Sequence, residues 1–246
     1  PNDHTTIDRD AEAYPIERLH QIKDQHELWV AETLSGSADQ KEIVNELIYS
    51  NLVDSASELC GFPNWENWIS LAFSEPPAFR EELYYGIDKF GRIIAKAIWP
   101  NTIPELESAL RTLALILPEA RDKFFEHAVL DREKIIRGIK FYQIPEWNPE
   151  LYKELGDQYD QWCEEYRSLM YEATKVANWV AEVVRREINP MFFAMQGKFM
   201  LIIPDGLGYS MHVPEFTPEE KGSVFDQVND RVRKKWDEDR KPYEDD

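Results

Sequence analysis

What the chain has little of narrows the field first. Only Cys60 and Cys163 occur in 246 residues, far apart and in no C-x-x-C pair. That excludes a disulfide-stapled secreted scaffold and a thiolate zinc site, and points to free thiols in a reducing cytoplasm. No apolar run approaches the ~20 residues of a membrane span, so no membrane partner is expected. The longest runs, such as Leu113-Ala114-Leu115-Ile116-Leu117, have the length of core segments. Basic residues are also scarce: 28 Lys and Arg stand against 47 Asp and Glu, a formal charge of −19. A broad, non-specific nucleic-acid binder gains its affinity from cations that neutralise phosphates. This composition excludes that class but leaves room for a small local DNA site. No phosphate loop is evident either, since Gly206-x-Gly208 lacks the following helix that a dinucleotide fingerprint requires.

Apolar residues are plentiful, at 43% of the chain with 13% aromatic. That is enough for a core without staples, in one large domain or two small ones. The apolar spacing predicts a mainly helical protein. A helix is expected over 15–34, with Pro15 in its first turn, and Ser35-Gly36-Ser37 reads as a break. A second helix over 38–60 places Ile43, Val44, Leu47, Ile48, Leu52 and Leu59 on one face, with Gly61 as its cap. Trp65, Trp68, Ile69 and Ala72 give a short aromatic helix. The next runs from Pro76-Pro77 to Trp99, with Phe79, Leu83, Ile87, Phe90, Ile94 and Ile98 on its apolar face. Helices over 104–116, 118–130 and 131–143 follow.

The strongest pattern is 148–188. Asn148 is a good N-cap and Pro149 a good first residue. From Leu155 through Tyr159, Trp162, Tyr166, Leu169, Ala173, Val176 and Val180 to Val183, apolar residues recur at alternating spacings of four and three. Such a helix of about 40 residues is roughly 60 Å long. Its bulky Tyr159, Trp162 and Tyr166 suit packing inside the chain better than a tight two-stranded coiled coil. Beyond it, Lys198–Ile203 and Leu207–Val213 read as strands of a C-terminal hairpin (198–213) about Asp205-Gly206. Thr217-Pro218-Glu219-Glu220 is a capping-box pattern, and a charged, frayed tail is expected over 234–246.

Chemistry concentrates in the first thirty residues. Pro1, His4, Ile7, Asp8, Tyr14, Glu17, Leu19, Lys23, His26 and Glu27 follow a pattern of the form P-x-x-H-x-x-I-D, then an acidic loop with Tyr-Pro, E-x-L, and K-x-x-H-E. This stretch resembles the closing part of an HNH (ββα-metal) endonuclease domain, as in bacterial antiphage-type HNH effectors. The resemblance covers residues 1–30 alone. It implies that His4, with Asp3 where the family often has a second histidine, holds a divalent metal ion (Mg, Mn, Ni or Zn). It gives Asp8 and His26 structural roles. Such a metal stabilises charge on the scissile phosphate of DNA, while a separate histidine activates water. The resemblance puts that general-base histidine and the central asparagine upstream of Pro1, so the chain alone is expected to be inactive.

The expected organisation is thus residues 1–34 as the last helices of a nuclease module, 38–233 as a helical regulatory or oligomerisation domain, and 234–246 as a tail. The partners this implies are DNA, a second copy in a homo-oligomer, and a small-molecule or protein activator. The alternative is a non-enzymatic acidic helical module that binds a protein partner. Its DNA-mimic version is disfavoured, because the carboxylates are interleaved with Lys and Arg rather than set in rows. His20 and His26, six residues apart, do not share a helix face as an i, i+4 metal pair would. His127 at a helix end and His212 in the hairpin read as structural, as do Phe62, Trp65 and Trp68 as core. Glu164, Glu165 and Glu172 read as a solvated face.

Overall fold

The computed structural model describes residues 16–130, 134–206 and 208–240. The chain forms two compact units, residues 1–47 and 48–246. Helix α1 (Ile16–Leu59) passes without interruption through Ser35-Gly36-Ser37, where the sequence predicts a break. One interior glycine costs a helix about 1 kcal/mol against alanine and a serine only tenths, so good helix formers on either side carry the helix through. In the first unit, Lys23 and Glu27 pair at 3.6 Å across one turn. Ile43, Val44 and Leu47, expected in a buried face, are each more than half exposed. In the second unit the buried residues of this helix are Tyr49, Leu52, Val53 and Ala56, which at about 3.6 residues per turn lie on the side of α1 roughly opposite Ile43, Val44 and Leu47.

In the second unit, Gly61 ends α1 in the left-handed region (φ 69°), a conformation that glycine adopts without a Cβ clash. A 3-10 turn (Phe62–Asn64) leads into α2 (Trp65–Ala72), whose Trp65, Trp68, Ile69 and Ala72 are all buried. Phe62, Trp65 and Trp68 are therefore core. Then come β1 (Ala78–Arg80), α3 (Glu81–Lys96), α4 (Pro104–Phe125), β2 (Ala128–Leu130), β3 (Ile135–Gly138), α5 (Pro149–Glu187), β4 (Leu201–Asp205), β5 (Gly208–His212), α6 (Pro218–Lys221) and α7 (Val224–Arg240). The protein is mainly α, with one 39-residue helix and a C-terminal hairpin, as the sequence predicts. No helix among the described residues is long and apolar enough to cross a membrane.

Helix α5 starts as its cap residues dictate: the Asn148 side chain accepts from the Leu151 N–H at 3.1 Å. Its stripe packs within the chain, mainly on α4, and widens until Ala173, Val176, Ala177, Val180, Val183 and Val184 are all buried. The facing α4 residues Leu106, Leu110, Leu113, Ile116 and Leu117 are equally buried. Each such side chain contributes about 1.5–3 kcal/mol relative to exposure. Helix α3 crosses the end of α1 closely, and a Cβ at Gly86 would stand 2.2 Å from the Leu59 carbonyl oxygen. The capping box at Thr217 and Glu220 forms in full, but on a four-residue helix. Helix α7 then extends past Lys234, where a frayed tail is expected, to Arg240.

Three helical expectations give way to a small sheet. Strands β1 and β2 flank β3 antiparallel, with Phe79 opposite Ile136 and Leu130 also opposite Ile136. Pro76-Pro77 thus opens onto a strand, Ile98 is exposed, and residues 135–138 are extended; residues 131–133 lie outside the described set. Strands of three or four residues are too short to show a period, and their pairing is non-local. The expected boundary at residue 117 is likewise absent, since α4 continues through Pro118. An interior proline costs about 3 kcal/mol or more. Burial of Ile116, Leu117, Ala120 and Phe124 around it offsets that cost.

Candidate ligand groove and placement of the expected site residues

His4, Asp3 and Asp8 lie outside the described residues. His26 falls on α1, eleven residues into it counting from Ile16. No group of three or more His, Cys, Asp or Glu residues that could hold a metal occurs among the described residues. His127 stacks on Phe141, with ring centroids 4.3 Å apart, and meets the Trp162 ring edge-on. His212 lies 3.0 Å from the Ser210 hydroxyl and meets the Tyr171 ring edge-on, with centroids 6.4 Å apart. Both are packing residues. Cys60 and Cys163 are free and buried, and burial pushes both thiols up, so neither is poised as a nucleophile.

Three polar nodes brace the second unit. The Tyr49 hydroxyl donates to Glu107 Oε1 at 2.6 Å and accepts from the Thr102 and Ile103 N–H groups. It thereby holds the loop before α4 against α1. The Asn178 side chain donates to the Phe199 and Pro214 carbonyls and accepts from the Phe199 N–H, at 2.8–2.9 Å, which ties both ends of the hairpin to α5. Glu75 receives the Tyr159 hydroxyl at 2.7 Å, Lys140 at 3.2 Å and Arg167 at 3.3 Å. Burial alone would raise the Glu75 pKa, but these donors and cations outweigh it and hold the carboxyl below the usual range.

One of the concave features among the described residues is a groove between α3, α4 and α7. It comprises two adjoining hollows of about 700 and 430 Å³, which share Gly91, Ala95, Ala114 and Leu115. Small residues one turn apart, Gly91/Ala95 on α3 and Ala114 with Pro118 on α4, keep its floor low. Pro118 also has no N–H to give back to the Ala114 carbonyl, which leaves that acceptor without its usual helical partner. Ion pairs ring one end: Arg92–Asp88 and Arg121–Asp122, both at 2.7 Å. At the other end Arg111 lies over the Trp99 ring at 4.8 Å. A partly apolar ligand with polar termini matches an apolar floor with charged ends. The i, i+4 spacing of small residues within two amphipathic helices was the one sequence signal for this groove.

Glu164, Glu165 and Glu172 line a charged hollow beside it, together with Glu119, Lys123 and Arg231. Arg231 donates to Glu119 through Nε and Nη2, one edge of its guanidinium, and reaches Glu172 through Nη2 at 3.0 Å, which fastens α7 to α4 and α5. Two of the three glutamates of the expected solvated face are thus paired: Glu172 with Arg231, and Glu165 with Lys123.

No protein-family model matches the chain, no curated protein matches it, and no solved structure matches it at a significant level.

Proposed function

We propose that residues 1–34 are the closing part of an HNH-type, metal-dependent DNA endonuclease and that the helical unit after them controls it. The observation that carries this reading is the ten-residue pattern from Pro1 to Glu27. The helical state of residues 23–27, which sets Lys23 and Glu27 one turn apart on one face, supports it, because the trailing K-x-x-H-E of the pattern belongs on a helix. On this reading His4 and Asp3 hold a divalent metal, which supplies charge stabilisation at the scissile phosphate. Asp8 and His26 hold the surrounding chain in place. The setting is cytoplasmic, consistent with two buried free thiols. The groove between α3, α4 and α7 is the natural place for a small-molecule activator to act on the helical unit.

The test is cleavage of plasmid DNA, with Mg, Mn, Ni or Zn supplied in turn, by the complete natural gene product and its His4→Ala variant. Loss of cleavage by about a hundredfold or more in the variant is expected, as for other ligands of a catalytic metal. Equal cleavage by both proteins, or none by the unaltered one under any metal, overturns the reading. A second reading, an acidic protein-interaction module without enzymatic activity, is favoured by one observation: Ile43, Val44 and Leu47 form an exposed apolar patch on α1. Capture of a basic partner that the Leu47→Lys variant no longer binds, together with absent nuclease activity, would support it.

A further inference from the structure

The 26 residues from Asn189 to Pro214 contain two charged side chains, Lys198 and Asp205, in a chain that is 30% charged. Four of its five methionines lie in this segment. Met191, Met195, Tyr209 and Met211 are 71, 91, 74 and 72% exposed, and Val213 is 47% exposed. An isolated two-stranded hairpin is marginal in water, so its anchoring matters. Asn178 pins both of its ends, and Leu201 is fully buried beneath it.

The strand register determines which edge is open. Pro204 stands opposite Tyr209, and Ile202 opposite Met211. Antiparallel ladders alternate pairs that exchange both N–H···O bonds with pairs that exchange none. Proline has no N–H to exchange, so the 204/209 pair is of the second kind, and the 202/211 pair with it. The backbone N–H and C=O groups of Tyr209 and Met211 therefore point away from β4. Among the described residues they form no backbone hydrogen bond outside the hairpin. The opposite edge differs: Pro204 removes its donor there, and β4 packs beside α2. Natural sheets guard open edges with charge, proline or a bulge. Between Gly208 and Val213 there is no Lys, Arg, Asp, Glu or Pro.

We infer that β5 pairs antiparallel with β5 of a second copy across a twofold axis, forming a four-stranded sheet that joins two chains. Charge selects this occupant. Two chains of formal charge −19 repel each other over most of their surfaces and approach most readily through an uncharged face, which this segment supplies. A basic partner would instead be drawn to the acidic surfaces elsewhere. An antiparallel strand meeting its own copy is self-complementary, as a twofold interface must be. It also lines up Tyr209, Met211 and Val213 of both copies in one apolar row. The dimer does not depend on the nuclease reading, and its test involves no DNA.

The experiment is sedimentation of the 246-residue chain across the micromolar range at physiological salt. A mass twice the 29.0 kDa of one chain is expected. Met211→Lys places a charge at an exposed position on the pairing strand, and Met211→Pro removes an edge donor. Each is expected to weaken the dimer about tenfold or more, with an unchanged far-ultraviolet circular dichroism spectrum. Ile98→Lys, at a residue 85% exposed outside the hairpin, is expected to leave the dimer intact. Because the Lys variant alters only an exposed side chain, it reads the interface even where the Pro variant fails to fold. A single-chain mass throughout the range overturns the inference. So does a dimer that survives both Met211 variants or is weakened equally by Ile98→Lys. A monomer that floats with phosphatidylcholine vesicles through this patch assigns it to lipid and overturns the dimer as well.

Discussion

Helix α1 is one element in two environments. Up to Leu47 its apolar side chains Ile43, Val44 and Leu47 are exposed, whereas from Tyr49 onward Leu52, Val53 and Ala56 are buried in the second unit. At about 3.6 residues per turn the two sets also lie on roughly opposite sides of the helix, so the apolar face shifts round α1 between them. Helical spacing of apolar residues defines a face, and a face is buried only where another element meets it. The carboxylates and histidines of the expected nuclease stretch belong to the first unit, while the core, the groove and the hairpin belong to the second.

Five measurements sharpen or break that contrast. The largest effect is expected at Leu52: Leu52→Ala costs about 3 kcal/mol in urea unfolding, while Leu47→Ala, five residues earlier and on a different side of the helix, costs under about 0.5 kcal/mol. Equal costs would break the comparison. Next, Asn178→Ala strands the Phe199 N–H and two carbonyls at the hairpin's ends and should cost about 2–3 kcal/mol. Amide exchange in residues 199–214 should rise with it, and unchanged exchange there would deny Asn178 its anchoring role. Tyr49→Phe, just inside the second unit, removes a hydroxyl that serves Glu107 and two N–H groups. A loss of about 1–2 kcal/mol is expected from calorimetry.

The fourth effect is smaller and depends on pH. Glu75 has a folded-state pKa below its unfolded value of 4.5. The stability it contributes is therefore fully present above about pH 4.5 and disappears as pH falls through the lower folded value. Glu75→Gln should flatten the fall in stability over that acid window and leave its shape above pH 6 unchanged. An acid limb identical to that of the unaltered protein would remove Glu75 from this role. The smallest effect is at the exposed pair Lys23–Glu27, where Lys23→Ala should change stability by under about 0.5 kcal/mol. A larger loss would mean that the first unit is held by contacts of the kind found in the second.

Much of the helical architecture was legible because its signals are local. The cap at Asn148, the stripe to Val183, the left-handed Gly61, the aromatic turn about Trp65 and the hairpin about Asp205-Gly206 each depend on a few neighbouring residues. The errors share one cause. Ser35-Gly36-Ser37 and Pro118 look like breaks when judged by local propensity, and both are carried through by the surrounding helix. Phe79 and Ile136 look like parts of helices, yet they face each other across a ladder that joins segments far apart in sequence. Of the expected site, the sequence supplies a pattern over His4, Asp3, Asp8 and His26. The groove at Gly91 and Ala114 emerges only when three helices meet.

The sequence by itself determined the helical class, the long α5, the hairpin, the free thiols and the acidic balance. Those properties are summed from composition or written in spacings of a few residues. Only the tertiary structure decided which part of α1 is buried, that 78–80 and 135–138 pair as strands, and that β5 keeps an open edge while Pro204 closes the other. Burial and strand pairing are relations between distant segments, and no local pattern specifies a partner.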